Sequence, residues 1–272
     1  MGRKKVLFVS SEMSPFLTST SSVSEIARLL PQAIQEKDNE IRVLVPRFGL
    51  INERRNRLHE VVRLSGINIT IDDNDNPLII KVASLPDAKM QVYFLDNEEY
   101  FHRKALYHNE ENQFFPDNDE RTIFFCKGAL ETVKKLGWAP DIIHCQGWMT
   151  SLIPLYLKTI YKNEPVFKNS KVIYSIFEKE FQENLGEDFA RKASLNNIEP
   201  EQMACYDNGS CNGLYLGAIT HADAVVRAGG NIDPEVESTI SKLERPVLTH
   251  DDDQQYADNY LRFYDEILSS NN

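Results

Sequence analysis

Lys4–Pro31 reads KKVLFVSSEMSPFLTSTSSVSEIARLLP, and the fold follows from how this stretch divides. Val6-Leu7-Phe8-Val9 is an apolar run with the length and β-branched character of a strand buried on both faces. A loop rich in Ser and Thr follows. Ile26, Leu29, Leu30, Ala33 and Ile34 then recur at helical spacing. After a short charged turn comes a second apolar run, Ile41-Arg42-Val43-Leu44-Val45. Strand, helix, strand is a βαβ unit. Its right-handed crossover sets the loop after Val9 at the carboxyl end of the first strand, where open α/β sheets bind their ligands.

Further along, Val61–Ile71, Leu78–Ala83 and Met90–Leu95 read as three strands joined by Asp-Asn-Asp-Asn and Pro-Asp turn signals, an antiparallel or mixed β-excursion on the edge of the main sheet. The basic run Arg54-Arg55-Asn56-Arg57 reads as a solvated turn. Ile123–Leu136 has a helical pattern, with Asp117, Asn118 or Asp119 as caps and Gly137 as its stop. Asp141–His144 is another buried strand, and the helix that follows carries Leu152, Ile153, Leu155, Tyr156, Leu157 and Ile160. This second strand–loop–helix junction is the second place for a ligand. Lys171–Ile176 reads as the next strand, and Glu178–Pro200 as helical turns and loop. Gly229-Gly230, with no third spaced Gly and no Lys, reads as a tight turn rather than a phosphate loop. Pro234–Leu243 is helical. Asp251-Asp252-Asp253 then precedes an amphipathic helix over Gln254–Leu268, whose apolar set is Tyr256, Tyr260, Leu261, Phe263, Tyr264, Ile267 and Leu268.

The 272 residues are 42% hydrophobic, enough for a sizeable core, and no apolar run approaches the roughly 18 residues of a membrane helix. Four apolar residues after Met1–Lys5 are too few for a signal-peptide core, so a cytoplasmic protein is expected. Cys126, Cys145, Cys205 and Cys211 form no CxxC pair and read as buried thiols, with no metal site or disulfide framework. A net charge of −11, without a compensating basic stretch, argues against nucleic acid and anionic membranes as partners. A neutral polysaccharide is indifferent to that charge.

Ser10-Ser11-Glu12-Met13-Ser14-Pro15-Phe16, Leu30-Pro31 and Val45-Pro46-Arg47 resemble the opening of bacterial glycogen synthases and plant starch synthases. That family reads S-S-E-x-x-P-F-x-K-T-G-G-L-G-D-V, and its Lys-Thr-Gly-Gly part contacts the sugar-nucleotide donor. Here Thr18–Ser22 (TSTSS) replace the Lys and both glycines, Val23 takes the Leu place, and Glu25 falls near the Asp, with one residue inserted. Glu12, Ser21, Ser22 and Glu25 are what remains of a donor loop. The aromatic stretch around Tyr93 and Asp117-Asn118-Asp119-Glu120-Arg121 resemble the segment leading to the family's Asp-Asn-x-x-Arg-Phe motif, with Thr122 for the Phe. Ile142–Pro154 is the closest match, to x-x-H-x-H/N-D-W. His144 and Trp148 are kept, Gln146 replaces the His or Asn, and Gly147 replaces the Asp. A lone His at a strand end reads as packed and hydrogen-bonded, but the family's first His lies near the transferred glucose, so His144 is the catalytic candidate. In the family's T-I-H-N-x-x-x-Q-G stretch, Phe177-Glu178 replace the His-Asn pair and Glu183 the glycine. Asn212–Val226 resembles the family's later strand entry.

The resemblance implies an α/β, Rossmann-like domain with a mostly parallel sheet, as in the N-terminal half of a GT-B glycosyltransferase. It also implies transfer of glucose from ADP-glucose to an α-1,4-glucan with no cofactor. Tyr93, Asp117, Asn118, Arg121 and Trp148 are the implied substrate-binding residues. Residues 1–272 are expected to form one domain, closed by the helix over 254–268; the same apolar face also suits a dimer contact. Three readings stay open: a transferase completed by a separate synthase chain, a non-catalytic glucan-binding or regulatory relative, and an unrelated small-molecule module. The altered donor loop and the absence of a second domain favour the second.

Overall fold

β1 (Lys5–Ser10) is buried from Val6 onward and occupies the middle of the sheet. The computed structural model describes residues 2–18, 21–85, 88, 90–194, 198–251 and 255–270. Ser19 and Thr20 of the altered loop, Pro86 and Asp87 of an expected turn, and Asp252, Asp253 and Gln254 before the last helix lie outside the described residues.

The remaining strands are β2 (Glu40–Pro46), β3 (His59–Glu60), β4 (Ile67–Ile71), β5 (Asn74–Ser84), β6 (Gln91–Asp96), β7 (Ile142–Gln146), β8 (Lys171–Ile176), β9 (Ala224–Arg227) and β10 (Val247–Thr249). Their order is β10-β9-β8-β7-β1-β2-β6-β5-β3, with β4 hydrogen-bonded to β5. β10, β9, β8, β7, β1, β2 and β6 run parallel, while β3, β4 and β6 pair antiparallel with β5. This is the α/β, mostly parallel architecture expected from the alternation of buried runs and amphipathic helices.

The chain winds one way from β1 through β2 to β6 and the other way from β7 through β8 and β9 to β10. Right-handed crossovers therefore lay the helix Ser22–Glu36 on one face. The helices Asn118–Leu136, Leu152–Lys158 and Cys211–His221 lie on the other. Contacts agree: the first helix meets the last, Tyr256–Ser269, and the other three meet in succession. The reversal between β1 and β7 is a topological switch point, the place where such sheets open a crevice at the strands' carboxyl ends.

One strand of the sequence reading needs correction. Only Ile67–Ile71 of the Val61–Ile71 run is a strand, because Val61–Ser65 turns on itself through Leu64 and Ser65 N–H groups donating to Val61 O. Gly66, at φ +81°, re-enters the extended path. The edge β-excursion is mixed, since β6 pairs in parallel with β2 and antiparallel with β5. The strand entry in Asn212–Val226 follows a helix, Cys211–His221, and the strand begins at Ala224.

The last helix buries Ala257, Tyr260, Phe263, Tyr264 and Ile267. The Tyr264 hydroxyl is 2.8 Å from His144 Nδ1, Asp265 takes a 2.8 Å ion pair from Lys4, and Tyr256 donates to the Leu29 carbonyl at 3.3 Å. Burial of its four larger apolar side chains contributes on the order of 10 kcal/mol gross, before ordering entropy. Tyr264→Phe strands His144 Nδ1 in the core and should lower unfolding free energy by about 1–3 kcal/mol. Urea unfolding measures it, and an unchanged midpoint would show that this bond does not tie helix to sheet.

Candidate active-site cleft

Ser10 of β1, Gln146 of β7 and Ser175 of β8 stand side by side in register, so the loops leaving these strands start from one line. Gly147 is required there. Its φ is +83°, and a Cβ on it would lie 2.1 Å from Ser11 Oγ, so a side chain at this position is strained in this backbone. Trp148 follows, fully buried, with its ring against Tyr107 (5.0 Å), Phe181 (4.9 Å) and Phe114 (6.2 Å). Its backbone N–H donates to Glu180 Oε1 at 3.0 Å, and the Tyr215 hydroxyl donates to the same oxygen at 2.7 Å. Burial, with the nearby Glu12 and Glu178 carboxylates adding to it, pushes the Glu180 carboxyl up to about 8, and the two donated hydrogen bonds only partly oppose this. Glu12, also buried, accepts from the Ser21 hydroxyl at 2.9 Å.

Next to this group opens a cleft of about 490 Å³ between the first helix, the loops after β8 and β9, and the start of the last helix. Ser22, Glu25, Ile26, Leu30, Glu178 and Gly230 are among its walls, with His250 and Tyr256 at the far side. Glu178 spans it: one carboxylate oxygen accepts from Ser22 Oγ at 2.9 Å, the other from the Gly230 N–H at 2.9 Å. Despite the cost of partial burial, these bonds and one from its own backbone hold its carboxyl below the usual range. Gly229 lets the β9 exit lie against the β8 exit, since a Cβ there would meet Glu178 N at 2.6 Å. The Gly-Gly pair is thus a close-approach bend. No Lys or Arg lines the cleft among the described residues. In the adjoining hollow, Arg227 is matched by Glu237 at 2.8 Å.

The remaining candidates are dispersed. His144 is fully buried: Nδ1 faces the Tyr264 hydroxyl, Nε2 faces Ser175 Oγ at 2.7 Å, and the ring stacks on Phe8 at 5.3 Å. Burial, with His250 nearby, pulls its pKa down to about 3. Both of its nitrogens are engaged inside the core, and it does not line the cleft. Arg121 is sealed among the rings of Phe48, Phe101 and Phe115 at 5.4–5.5 Å and donates to Asn118 Oδ1. Burial brings its pKa down to about 10. Asp117 takes the N-cap position of the helix Asn118–Leu136 without a side-chain cap bond, its carboxylate pairing with Arg103 instead. Tyr93 is distant: its hydroxyl donates to Gln91 at the start of β6, and Arg42 lies between its ring and Trp138, which sits ahead of β7. The structure therefore brings together Ser22 and Glu25 in the cleft, with Glu12 and Ser21 beside it. It leaves Tyr93, Arg121 and His144 outside. Glu178, Glu180 and Gly230 were missed, although the rule that sites follow strand ends marks Glu178, which comes two residues after β8. Among the described residues there is no group of three or more His, Cys, Asp or Glu placed to hold a metal, and no helix long and apolar enough to cross a membrane.

The raised Glu180 pKa gives a signed prediction. The folded state holds this proton more tightly than the unfolded chain does. The associated stability is fully present below the ordinary glutamate range and is lost as pH rises through about 8. Glu180→Gln keeps both accepted bonds and removes the titration. Denaturant midpoints of the wild type relative to this variant should fall between pH 5 and 9, and parallel profiles would refute the assignment.

The model for the starch synthase catalytic domain matches residues 5–240. Glycogen synthase of Pelodictyon phaeoclathratiforme is 36% identical over 263 residues, covering 93% of this chain and 49% of that protein. That of Chlorobium luteolum is 38% identical over 249 residues, covering 91% and 48%. The catalytic domain of Starch Synthase IV from Arabidopsis thaliana, bound to ADP and acarbose, superposes with a TM-score of 0.71 at 17% identity, covering 93% of this chain and 53% of that one. At that identity the likeness is one of fold. The chain spans about half the length of the curated relatives it matches. With the family model covering most of its residues, it belongs to the starch synthase catalytic domain family.

Proposed function

We propose that this chain is a glucan-binding relative of the glycogen and starch synthases that does not itself transfer glucose. Residues 1–272 are read as one domain of the synthase N-terminal type, with the last helix closing it. One observation carries the reading. The cleft at the strand ends is walled by Glu25 and Glu178 with no Lys or Arg among its described residues, while His144 lies buried away from it. A glucan is uncharged, and its hydroxyls donate to carboxylates, while Ile26, Leu30 and Tyr256 offer apolar surface to sugar rings. A sugar nucleotide brings a diphosphate, which such walls repel. The Arabidopsis relative held both ADP and acarbose; on this reading the present chain keeps the carbohydrate side of that pairing.

The purified chain should cosediment with glycogen and show no transfer of labelled glucose from ADP-glucose to it. Glu25→Ala should weaken glucan retention roughly ten-fold, about the worth of a hydrogen bond to a charged group. Sustained turnover by the purified chain would restore the enzyme reading. Turnover only after adding a separate synthase chain would show instead that the cleft is completed by a partner.

A further inference from the structure

Two donors from separate loops converge on one point of the cleft wall. The Ser22 hydroxyl comes from the start of the first helix, and the Gly230 N–H comes from the bend after β9. Each is 2.9 Å from a different oxygen of the same carboxylate. Converging hydroxyl and backbone N–H donors make a seat for an oxyanion. In this chain the anion seated there is supplied from within, by Glu178. Its backbone is fixed in place, because Gly229 lies directly against it and the Ala228 and Gly229 N–H groups both donate to the Ile176 carbonyl. Among the described residues no Lys or Arg shares the cleft wall with it. Glu25 shares the cleft, and Arg227 in the adjoining hollow is committed to Glu237.

We infer that Glu178 is an internal oxyanion that fills this seat and excludes external phosphate-type anions from the cleft, making it the residue that sets the cleft's ligand charge. The inference deepens the proposed function and rests on it only in taking the cleft as the ligand site. Whether a glucan binds is a separate question. An entering phosphate would have to displace a carboxylate that already holds both donors, and would then lie beside that carboxylate's charge. Removing the charge while keeping the shape leaves the donors weakly engaged. Removing the side chain leaves both donors open.

The test uses the full chain and inorganic pyrophosphate, titrated calorimetrically at low ionic strength and pH 7.5. Thermal unfolding and circular dichroism establish that each variant is folded. The wild type should show no binding up to millimolar pyrophosphate. Glu178→Gln and Glu178→Ala should each bind at least ten-fold more tightly, the alanine variant more so, and adding Ser22→Ala to either should abolish the gain. If the alanine variant does not fold, the isosteric glutamine variant decides alone. Wild-type affinity in every folded Glu178 variant overturns the inference. So does tight pyrophosphate binding by the wild type, or a gain that Ser22→Ala leaves untouched, which would place the anion elsewhere. Glycogen cosedimentation of the same variants is read in parallel. Loss of glucan binding with a pyrophosphate gain present refutes the glucan reading alone, and retained glucan binding without that gain refutes the role of Glu178 alone.

Discussion

The parallel pairing of β1 with β7 is the constraint on which the site depends. Val6 to Ser10 lie opposite Ile142 to Gln146 without a break, and the chain leaves this pair in opposite directions across the sheet. Two runs of buried apolar residues enforce the register, because slipping either by one residue would exchange its two faces. Once it holds, the loop after Ser10 and the turn after Gln146 must start side by side. Ser11 is thereby pressed against position 147, and only a residue without a side chain fits there at positive φ. Gly147 in turn delivers Trp148 into the core and aims its N–H at Glu180.

Polar groups buried at this junction are a cost the surrounding packing must carry. Both amide atoms of Gln146 are sealed without a protein partner, as are Nε and one terminal nitrogen of Arg121. Each unsatisfied group costs about 1–3 kcal/mol. For Arg121 the three surrounding aromatic rings offset part of this through cation–π attraction, and Asp117 opposes the loss of charge. His144 is settled differently: with a hydroxyl on each side it stays neutral and makes both of its bonds. One bond reaches β8 and the other the last helix, so a residue whose motif suggests chemistry instead links three elements.

The sheet was readable because a strand buried on both faces must be an uninterrupted apolar run, as in Val6–Val9, Ile142–His144 and Val172–Ile176. β10 was not readable: three residues, half-exposed, carry no such run. The pairing of β6 was legible only as antiparallel or mixed, because apolar content cannot report which neighbour a strand pairs with. The site was legible only in part. Ser22 and Glu25 followed from their position after β1. Glu178 and Glu180 fall in a charged, weakly periodic stretch, and their role appears only when β8 is set two strands from β1. His144 and Trp148 were kept by the motif, but a motif records residue identity and not which way the side chain faces.

The same separation explains how this chain shares a fold at 17% identity with a starch synthase catalytic domain. A parallel sheet asks only that apolar residues recur at the right places, a demand many sequences meet. A ligand site depends on the sign of a few charges, and one residue can reverse it. In this chain the loop after β8 contributes Glu178 and the first helix adds Glu25 to the cleft wall. The buried Glu180, its carboxyl pushed up to about 8, instead keeps its proton at neutral pH. Both wall carboxylates come from segments that leave the strands flanking β7. The negative character of the cleft is therefore a local property of two segments, and it does not follow from a net charge of −11 spread over 272 residues. An uncharged polyhydroxyl ligand meets no Coulombic penalty at such a surface and can donate hydrogen bonds to it, whereas every phosphate oxygen brought there faces carboxylates already in place.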